Sequence, residues 1–222
     1  MTDIPSLKKY FKDKKLLTQA LTHKSWVNEN PGKRDSNERM EFLGDAVLEL
    51  VVSEKLYNKF PEQEEGYLTA FRANLVNTVN LAKVASELGI GEALYLSKGE
   101  EEGEGRANPS LLADSMEAII GALYVDQGMK ACEEFIEANV LVDIPNKIKE
   151  PLKDAKSRLQ ELVQAKGLSA PDYNVIKESG PDHSKVFVTE VIVDRKTRGV
   201  GKGSNKSVAA QKAAEKALEN FG

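Results

Sequence analysis

Hydrophobic and polar residues alternate with two different periods along this chain, and the change of period divides it. Up to about residue 140 the apolar positions recur at helical spacing. Leu16, Leu17, Ala20 and Leu21 predict that residues 6–29 form two short helices. After a polar loop from Asn28 to Asn37, apolar positions run from Phe42 through Leu50, Val51 and Leu56 to Phe60, where Pro61 stops the helix. Asp35 and Glu38 have the spacing of a capping box at its start. Further helices are predicted over Tyr67–Asn77, Asn80–Leu88 (closed by Gly89), Leu111–Val125 (closed by Gly128) and Lys130–Ala138. Ser97–Pro109 is rich in glycine and charge and reads as a surface loop.

Pro145–Pro151 has two prolines and no period, which marks a linker. Beyond it, Ala155–Lys166 is amphipathic. Asp172–Glu178, Val186–Val193 and Arg195–Gly203 read as strands, with a turn at Gly180–His183, and Ser207–Asn220 is an alanine-rich helix. The fold class expected is an all-α domain followed by a small α+β domain of αβββα topology. The boundaries expected are 1–148 for the helical domain, 149–153 for the linker and 154–222 for the second domain.

Two of the helices carry charges their surroundings do not explain. Glu41 and Asp45 interrupt an otherwise apolar or small stretch, Phe42-Leu43-Gly44 and Ala46-Val47-Leu48, and share one helix face. Asp114 and Glu117 are the only charges in Leu111–Val125 and also share a face. A helix apolar nearly all round is buried, and a buried carboxylate needs a partner. No Lys or Arg lies within a turn C-terminal to Asp45, so it is expected to be buried and in want of one. If the two helices pack together, four carboxylates meet, and a hard divalent cation would neutralise them. An all-oxygen set suits Mg²⁺ or Mn²⁺ rather than zinc. Arg39 or Arg72 pairing with these acids is the competing explanation.

Composition narrows the class. The chain has 222 residues, 41% hydrophobic and 30% charged, as a soluble globular protein does. No apolar run approaches the ~18 residues of a membrane span, and the N-terminus lacks the apolar core of a signal peptide. Cys132 stands alone, which excludes intramolecular disulfides and cysteine metal sites. A cytoplasmic protein is expected. The net charge of −4 is unevenly spread: residues 152–222 hold 13 Lys+Arg against 9 Asp+Glu, and residues 1–151 hold 18 against 26. An acidic domain is joined to a mildly basic one, which suits metal-dependent chemistry beside a phosphate-binding module.

Asn37-Glu-Arg-Met-Glu-Phe-Leu-Gly-Asp45 closely resembles the signature of the ribonuclease III family. So do Leu111–Asp126 and the upstream Ala20-Leu-Thr-His-Lys-Ser25. The C-terminal third resembles the double-stranded RNA-binding domain. The resemblance implies a Mg²⁺-dependent endonuclease of double-stranded RNA, with Mn²⁺ as a substitute, that leaves 5′-phosphate and 3′-hydroxyl ends and processes ribosomal RNA precursors and structured messages. It maps metal ligation onto Glu41, Asp114 and Glu117, with Asp45 and Glu117 as catalytic carboxylates. It implies a homodimer with Phe42 at the interface, and it matches Glu65 to an acid near the cleavage valley. RNA contacts map onto Gln160, Glu161, His183, Asn205 and Lys206. The last cluster departs from the family pattern: one basic residue, Lys206, stands before Ser207 where the family has two. His23 reads as a hydrogen-bonded residue near a helix end.

Two alternatives compete with this reading. A double-stranded RNA-binding scaffold without catalysis is disfavoured because every key carboxylate is present. A carboxylate-bridged di-iron enzyme needs Glu-x-x-His, and neither His23 nor His183 follows a Glu by three.

Overall fold

The computed structural model describes residues 4–142, 144, 154–181 and 185–221. The chain forms two units, Met1–Glu150 and Pro151–Gly222. The expected linker at 149–153 and the turn residue His183 lie outside the described residues.

The first unit is helical: α1 (Pro5–Lys8), α2 (Lys14–Ala20), α3 (Lys24–Glu29), α4 (Glu38–Lys59), α5 (Glu65–Val76), α6 (Thr78–Glu87), α7 (Ile90–Ala93), α8 (Lys98–Glu102), a 3-10 turn (Gly105–Ala107), α9 (Pro109–Gln127) and α10 (Met129–Asn139). Helix α9 is the hub, packed by α4, α6, α2 and α10. Its near-continuous apolar sequence fits that position, because Leu112, Met116, Ile119, Ile120 and Leu123 are all buried. Each such side chain contributes about 1.5–3 kcal/mol relative to exposure. Asn108 caps the helix by accepting from the backbone N–H of Ser110, with Pro109 at the first helical position. Gly128, at φ 79°, ends it.

The closest approach in the unit is between α4 and α9, at two glycines. A Cβ on Gly44 would overlap the Glu117 carbonyl oxygen, and one on Gly121 would overlap the Met40 carbonyl oxygen. The helices therefore cross backbone against backbone, and only glycine permits it. Gly44 lies between Glu41 and Asp45, and Gly121 lies one turn after Glu117, so this crossing sets where the carboxylates meet.

The second unit has the expected topology: α11 (Ala155–Ala165), β1 (Asp172–Ser179), β2 (Val186–Val193), β3 (Lys196–Gly203) and α12 (Lys206–Phe221). The sheet is antiparallel in the order β1-β2-β3, with Val191 opposite Tyr173 on one side and Gly199 on the other. Both helices cover one face, and the core is Ala155, Leu159, Val163, Val191, Val193, Ala213, Ala214 and Ala217. Close approach again depends on glycine. A Cβ at Gly199, Gly201 or Gly203 would overlap the α12 backbone around Ala209, Ala213 and Ala217. Asp154 caps α11 by accepting from Lys156 and Ser157 N–H and also accepts from Gln211 Nε2 at 2.8 Å, which ties the two helices together. These bonds, the Gln211 bond foremost, hold its carboxyl below the usual range.

Several local expectations are corrected. Residues 6–29 contain parts of three helices, not two. Within Ser97–Pro109 the chain is not all loop. Ser97 caps a helical turn by accepting from Glu100 N–H, and Arg106 donates to the carbonyls of Gly91, Glu92 and Leu94 and pairs with Glu101. No capping box opens α4. Its N-cap is Asn37, whose side chain instead donates to the Ala20 carbonyl at 3.2 Å, while Glu38 accepts from Lys24 and Ser36. Strand β1 does not bury alternate residues, because Val175 and its bulged neighbour Ile176 are both exposed. Nor is α4 buried all round. Phe42 is 82% exposed, Leu50 and Tyr57 are exposed on the same face, and Asp45 is exposed too, so the partner its burial seemed to require is not needed.

Candidate functional site

The α4/α9 crossing brings Glu41, Asp114 and Glu117 together. One carboxylate oxygen from each lies within 4.8 Å of the others. All three side chains are half-buried. The carboxyl pKa of Glu117 is pushed up to about 7, first by burial and then by the charges of Asp45, Asp114 and Glu41. Burial, then Asp114, raises Glu41, and burial raises Asp114. Asp45 completes the group at its exposed edge, close enough to act on both Glu117 and Glu41.

No cation forms an ion pair with Glu41, Asp114 or Glu117 among the described residues. Arg72 is occupied elsewhere, donating to Ser53 Oγ at 2.8 Å and pairing with Glu49 at 3.6 Å. Arg39 is exposed and makes no ion pair among the described residues. Neither arginine named as a competing partner therefore pairs with these acids. Oxygens on opposite sides of a Mg²⁺ ion stand about 4.2 Å apart, twice the Mg–O distance. Three oxygens all within 4.8 Å of one another are close enough to share one such ion with modest side-chain adjustment. Their hard, anionic, all-oxygen character fits a divalent cation of this type.

Lys24 is a site residue that the sequence reading passed over, although it lies in the quoted Ala20–Ser25 segment. It pairs with Glu38 at 3.2 Å, and its charge acts on both Glu41 and Asp114. The signal available was its position beside His23 at a helix start. His23 is the N-cap of α3 and accepts from Ser25 N–H, with Nδ1 also 2.8 Å from Ser25 Oγ, as the structural reading expected. Glu65 opens α5, accepts from Thr69 Oγ1 at 3.0 Å and is not one of the three clustered acids.

In the second unit, Gln160 and Glu161 are exposed on α11. Asn205 Oδ1 accepts from Val208 N–H at 2.9 Å and so caps the start of α12. Lys206 pairs with Glu178 at 3.5 Å and lies over the Phe187 ring. His183 lies outside the described residues.

Comparison with known proteins agrees with this layout. Residues 13–144 match the family model described as ribonuclease-III-like, and residues 155–221 match the double-stranded RNA binding motif. A protein of Geobacillus sp. (strain WCH70) called Ribonuclease 3 is 47% identical over 213 residues, 96% of this chain and 87% of that protein. Ribonuclease 3 of Halalkalibacterium halodurans is 47% identical over 94% of this chain and 80% of its own length. The crystal structure of the nuclease domain of ribonuclease III from Campylobacter jejuni superposes with a TM-score of 0.59 at 42% identity, covering 65% of this chain and 98% of that domain. A second structure of that domain, at TM-score 0.56 and 43% identity over 63% of this chain and 100% of the domain, is described as flexible in the region involved in dimer formation. Helical acid cluster and RNA-binding motif together define the class, an endoribonuclease specific for double-stranded RNA. The chain belongs to the ribonuclease III family.

Proposed function

We propose that Glu41, Asp114 and Glu117 hold Mg²⁺, with Mn²⁺ as a substitute, and that the enzyme cuts double-stranded RNA there to leave 5′-phosphate and 3′-hydroxyl ends. The observation that carries this is the trio of carboxylate oxygens within 4.8 Å of one another, with no cation partner among the described residues. A bound Mg²⁺ supplies positive charge at the scissile phosphate and makes water more acidic. The chain's own part is to fix that charge. Burial and repulsion already destabilise the anionic cluster, so a cation is favoured strongly over water. Asp45, exposed and close enough for its charge to act on Glu117, is the group assigned to orient a water and take its proton.

In the RNA-binding unit, duplex RNA hides its base edges, so shape, 2′-hydroxyls and phosphates are read instead. Gln160, Glu161 and His183 are assigned to the minor groove. Lys206 and Asn205, at the start of α12, are assigned to phosphate, where the helix N-terminus also attracts anions. The protein is read as a cytoplasmic homodimer that processes ribosomal RNA precursors and structured messages. No helix among the described residues is long and apolar enough to cross a membrane. Support for the dimer comes from Phe42, 82% exposed on a face it shares with Leu50 and Tyr57. Such a stripe is costly to leave in water. Sedimentation at about twice 24.4 kDa is the expected result, and a strict monomer that still cuts both strands removes the dimer.

The main test uses labelled duplex RNA of about 30–40 base pairs, roughly twice the ~16 that one such binding domain spans. Discrete cuts bearing 5′-phosphates are expected with Mg²⁺ and none in EDTA. Glu117→Gln should bind the duplex normally and cut about 100- to 1,000-fold more slowly, on the order of a lost major charge-stabilising group. Near-normal cutting by that variant would take Glu117 out of the mechanism, and binding without cutting in any metal would leave a scaffold protein.

A further inference from the structure

The helical unit is strongly acidic, yet one cleft in it is lined by cations. Lys14, Lys15, Lys33 and Arg34 enclose about 510 Å³ together with Thr18 and Gln19, and Asp35 is the only acid among the lining residues. The cations come from two separate segments, the first turn of α2 and the turn before α4, so their convergence is a product of the fold and not a run in the sequence. Gln19 holds the segments together by donating from Nε2 to the Ser36 carbonyl at 3.2 Å.

Arg34 is held in place. Its guanidinium lies 4.5 Å from the Trp26 ring centre and 4.4 Å from that of Tyr95, and Nη1 reaches Thr22 Oγ1 at 3.4 Å. Two aromatic faces fix the plane of the fork, and one bond uses one of its five donors. No carboxylate pairs with it among the described residues. Lys33 bonds only a neutral partner there, Asn30 Oδ1 at 2.8 Å, and Lys14 and Lys15 are exposed without an ion pair among the described residues. Arg39 likewise has no ion pair among the described residues, but it stands outside this cleft, whereas five other cations of the unit are paired. Lys24, Lys55, Arg72, Lys83 and Arg106 each have a carboxylate partner. Four cations gathered in one recess, one of them rigid, repel one another unless an anion joins them.

Gln19 and Asp35 also line a neighbouring cleft of about 600 Å³, together with Glu38, Arg39, Met40 and Leu43 of α4.

We propose that this cleft is a phosphate-backbone contact for duplex RNA, belonging to the helical unit and separate from the RNA-binding unit. Lys14, Lys15 and Lys33 neutralise successive phosphates, and the clamped Arg34 fork takes a phosphate bidentately, which fixes the register of the backbone on the helical unit. The contact is independent of sequence, because it meets only the backbone. It rests on the reading of double-stranded RNA as substrate.

The test measures duplex RNA binding by the full-length protein in EDTA from 50 to 200 mM salt. Each phosphate contact adds about 0.7–0.9 to the log–log slope. The triple variant K14Q/K15Q/K33Q changes only exposed side chains and is expected to keep its thermal midpoint, lose about two units of slope and bind at least 10-fold more weakly at the upper salt. Arg34→Lys should weaken binding further while keeping the charge, because the fork is lost. Lys206→Gln is the internal control, with a smaller loss of slope from the other unit. An unchanged slope in the triple variant alongside a reduced one in the Lys206 variant overturns the cleft proposal and leaves the RNA reading intact. Failure of the unaltered protein to bind duplex RNA at all overturns the reading on which it rests. If inorganic phosphate alone saturates the cleft and the triple variant's RNA slope is unchanged, the site serves small anions, and the proposal is again overturned.

Discussion

The α4/α9 crossing and the β3/α12 contact use one packing device for opposite electrostatic ends. In each, glycine removes the Cβ that would hold two backbones apart. In the first unit the result is a pocket of like charge. Glu41, Asp114 and Glu117 are half-buried and their carboxyl groups are raised in pKa. In the second, five alanines of α12 seal the sheet, and the charges stay on the surface, where Lys206 has the partner Glu178. Close packing by itself therefore says nothing about function. What matters is which residues flank the glycine: carboxylates beside Gly44, but Arg198, Val200 and Lys202 beside the glycines of β3, with no acid among them.

The largest expected effect sharpens that contrast. Gly44→Ala places a methyl group on the Glu117 carbonyl, and Gly201→Ala places one on the backbone of Ala209 and Ala213. Overpacking costs about 1–3 kcal/mol when side chains can yield, and backbone atoms yield less. Gly44→Ala should lower stability by at least ~3 kcal/mol in denaturant unfolding and abolish cutting while duplex RNA binding survives. Gly201→Ala should do the reverse, abolishing tight binding while some cutting persists at high RNA concentration. A Gly44→Ala protein that cuts normally would show that the crossing does not set the site.

A smaller effect concerns pH. Glu117 has its folded carboxyl pKa raised from 4.5 to about 7. Between those values the folded chain binds more protons than the unfolded one, so its stability falls as pH rises. In EDTA the unfolding midpoint should therefore climb as pH drops from about 7 towards 4.5, with Asp114 and Glu41 adding in the same direction. Glu117→Gln should flatten this climb, and Mg²⁺ should lift the midpoint most at the high-pH end. A midpoint that instead rises with pH in EDTA would show that the cluster is already neutralised by a cation of the chain.

Much of this was legible in the sequence. Long helices such as α4 and α9 declare themselves by period, and acids such as Asp114 and Glu117 are conspicuous in apolar surroundings. The gaps have physical causes. Gly44 looks like any small residue, because a backbone contact with Glu117, 73 positions on, leaves no local trace. The alternate glycines 199, 201 and 203 have strand period and were the available sign that a helix lies on β3, yet they read only as strand boundaries. Asp45 seemed buried because an all-round apolar helix usually is. Phe42, Leu50 and Tyr57 make α4 apolar on a face that the single chain leaves in water. The capping box at Asp35 and Glu38 had the right spacing, but Lys24 offered Glu38 a stronger partner from another helix.

The smallest effect probes the paired side of the contrast. Lys206 is assigned to RNA phosphate, yet in the free protein its ammonium lies 3.5 Å from Glu178, which also pairs with Lys185 at 3.8 Å. Both pairs are exposed, and such pairs are worth about 0–1 kcal/mol. If RNA must displace the carboxylate, Glu178→Gln removes a competitor and tightens duplex binding by at most about fivefold, the equivalent of ~1 kcal/mol. The salt slope would hold or steepen slightly, because no phosphate contact is lost. If Glu178 instead holds the two lysines ready for the duplex, the same variant binds more weakly and with a shallower slope. A titration of Glu178→Gln against duplex RNA in EDTA at two salt concentrations separates the two. Tighter binding would mean that this unit, like the carboxylate cluster, holds charge in a state its ligand must relieve, and the two units would then differ in the sign of the charge and not in the principle.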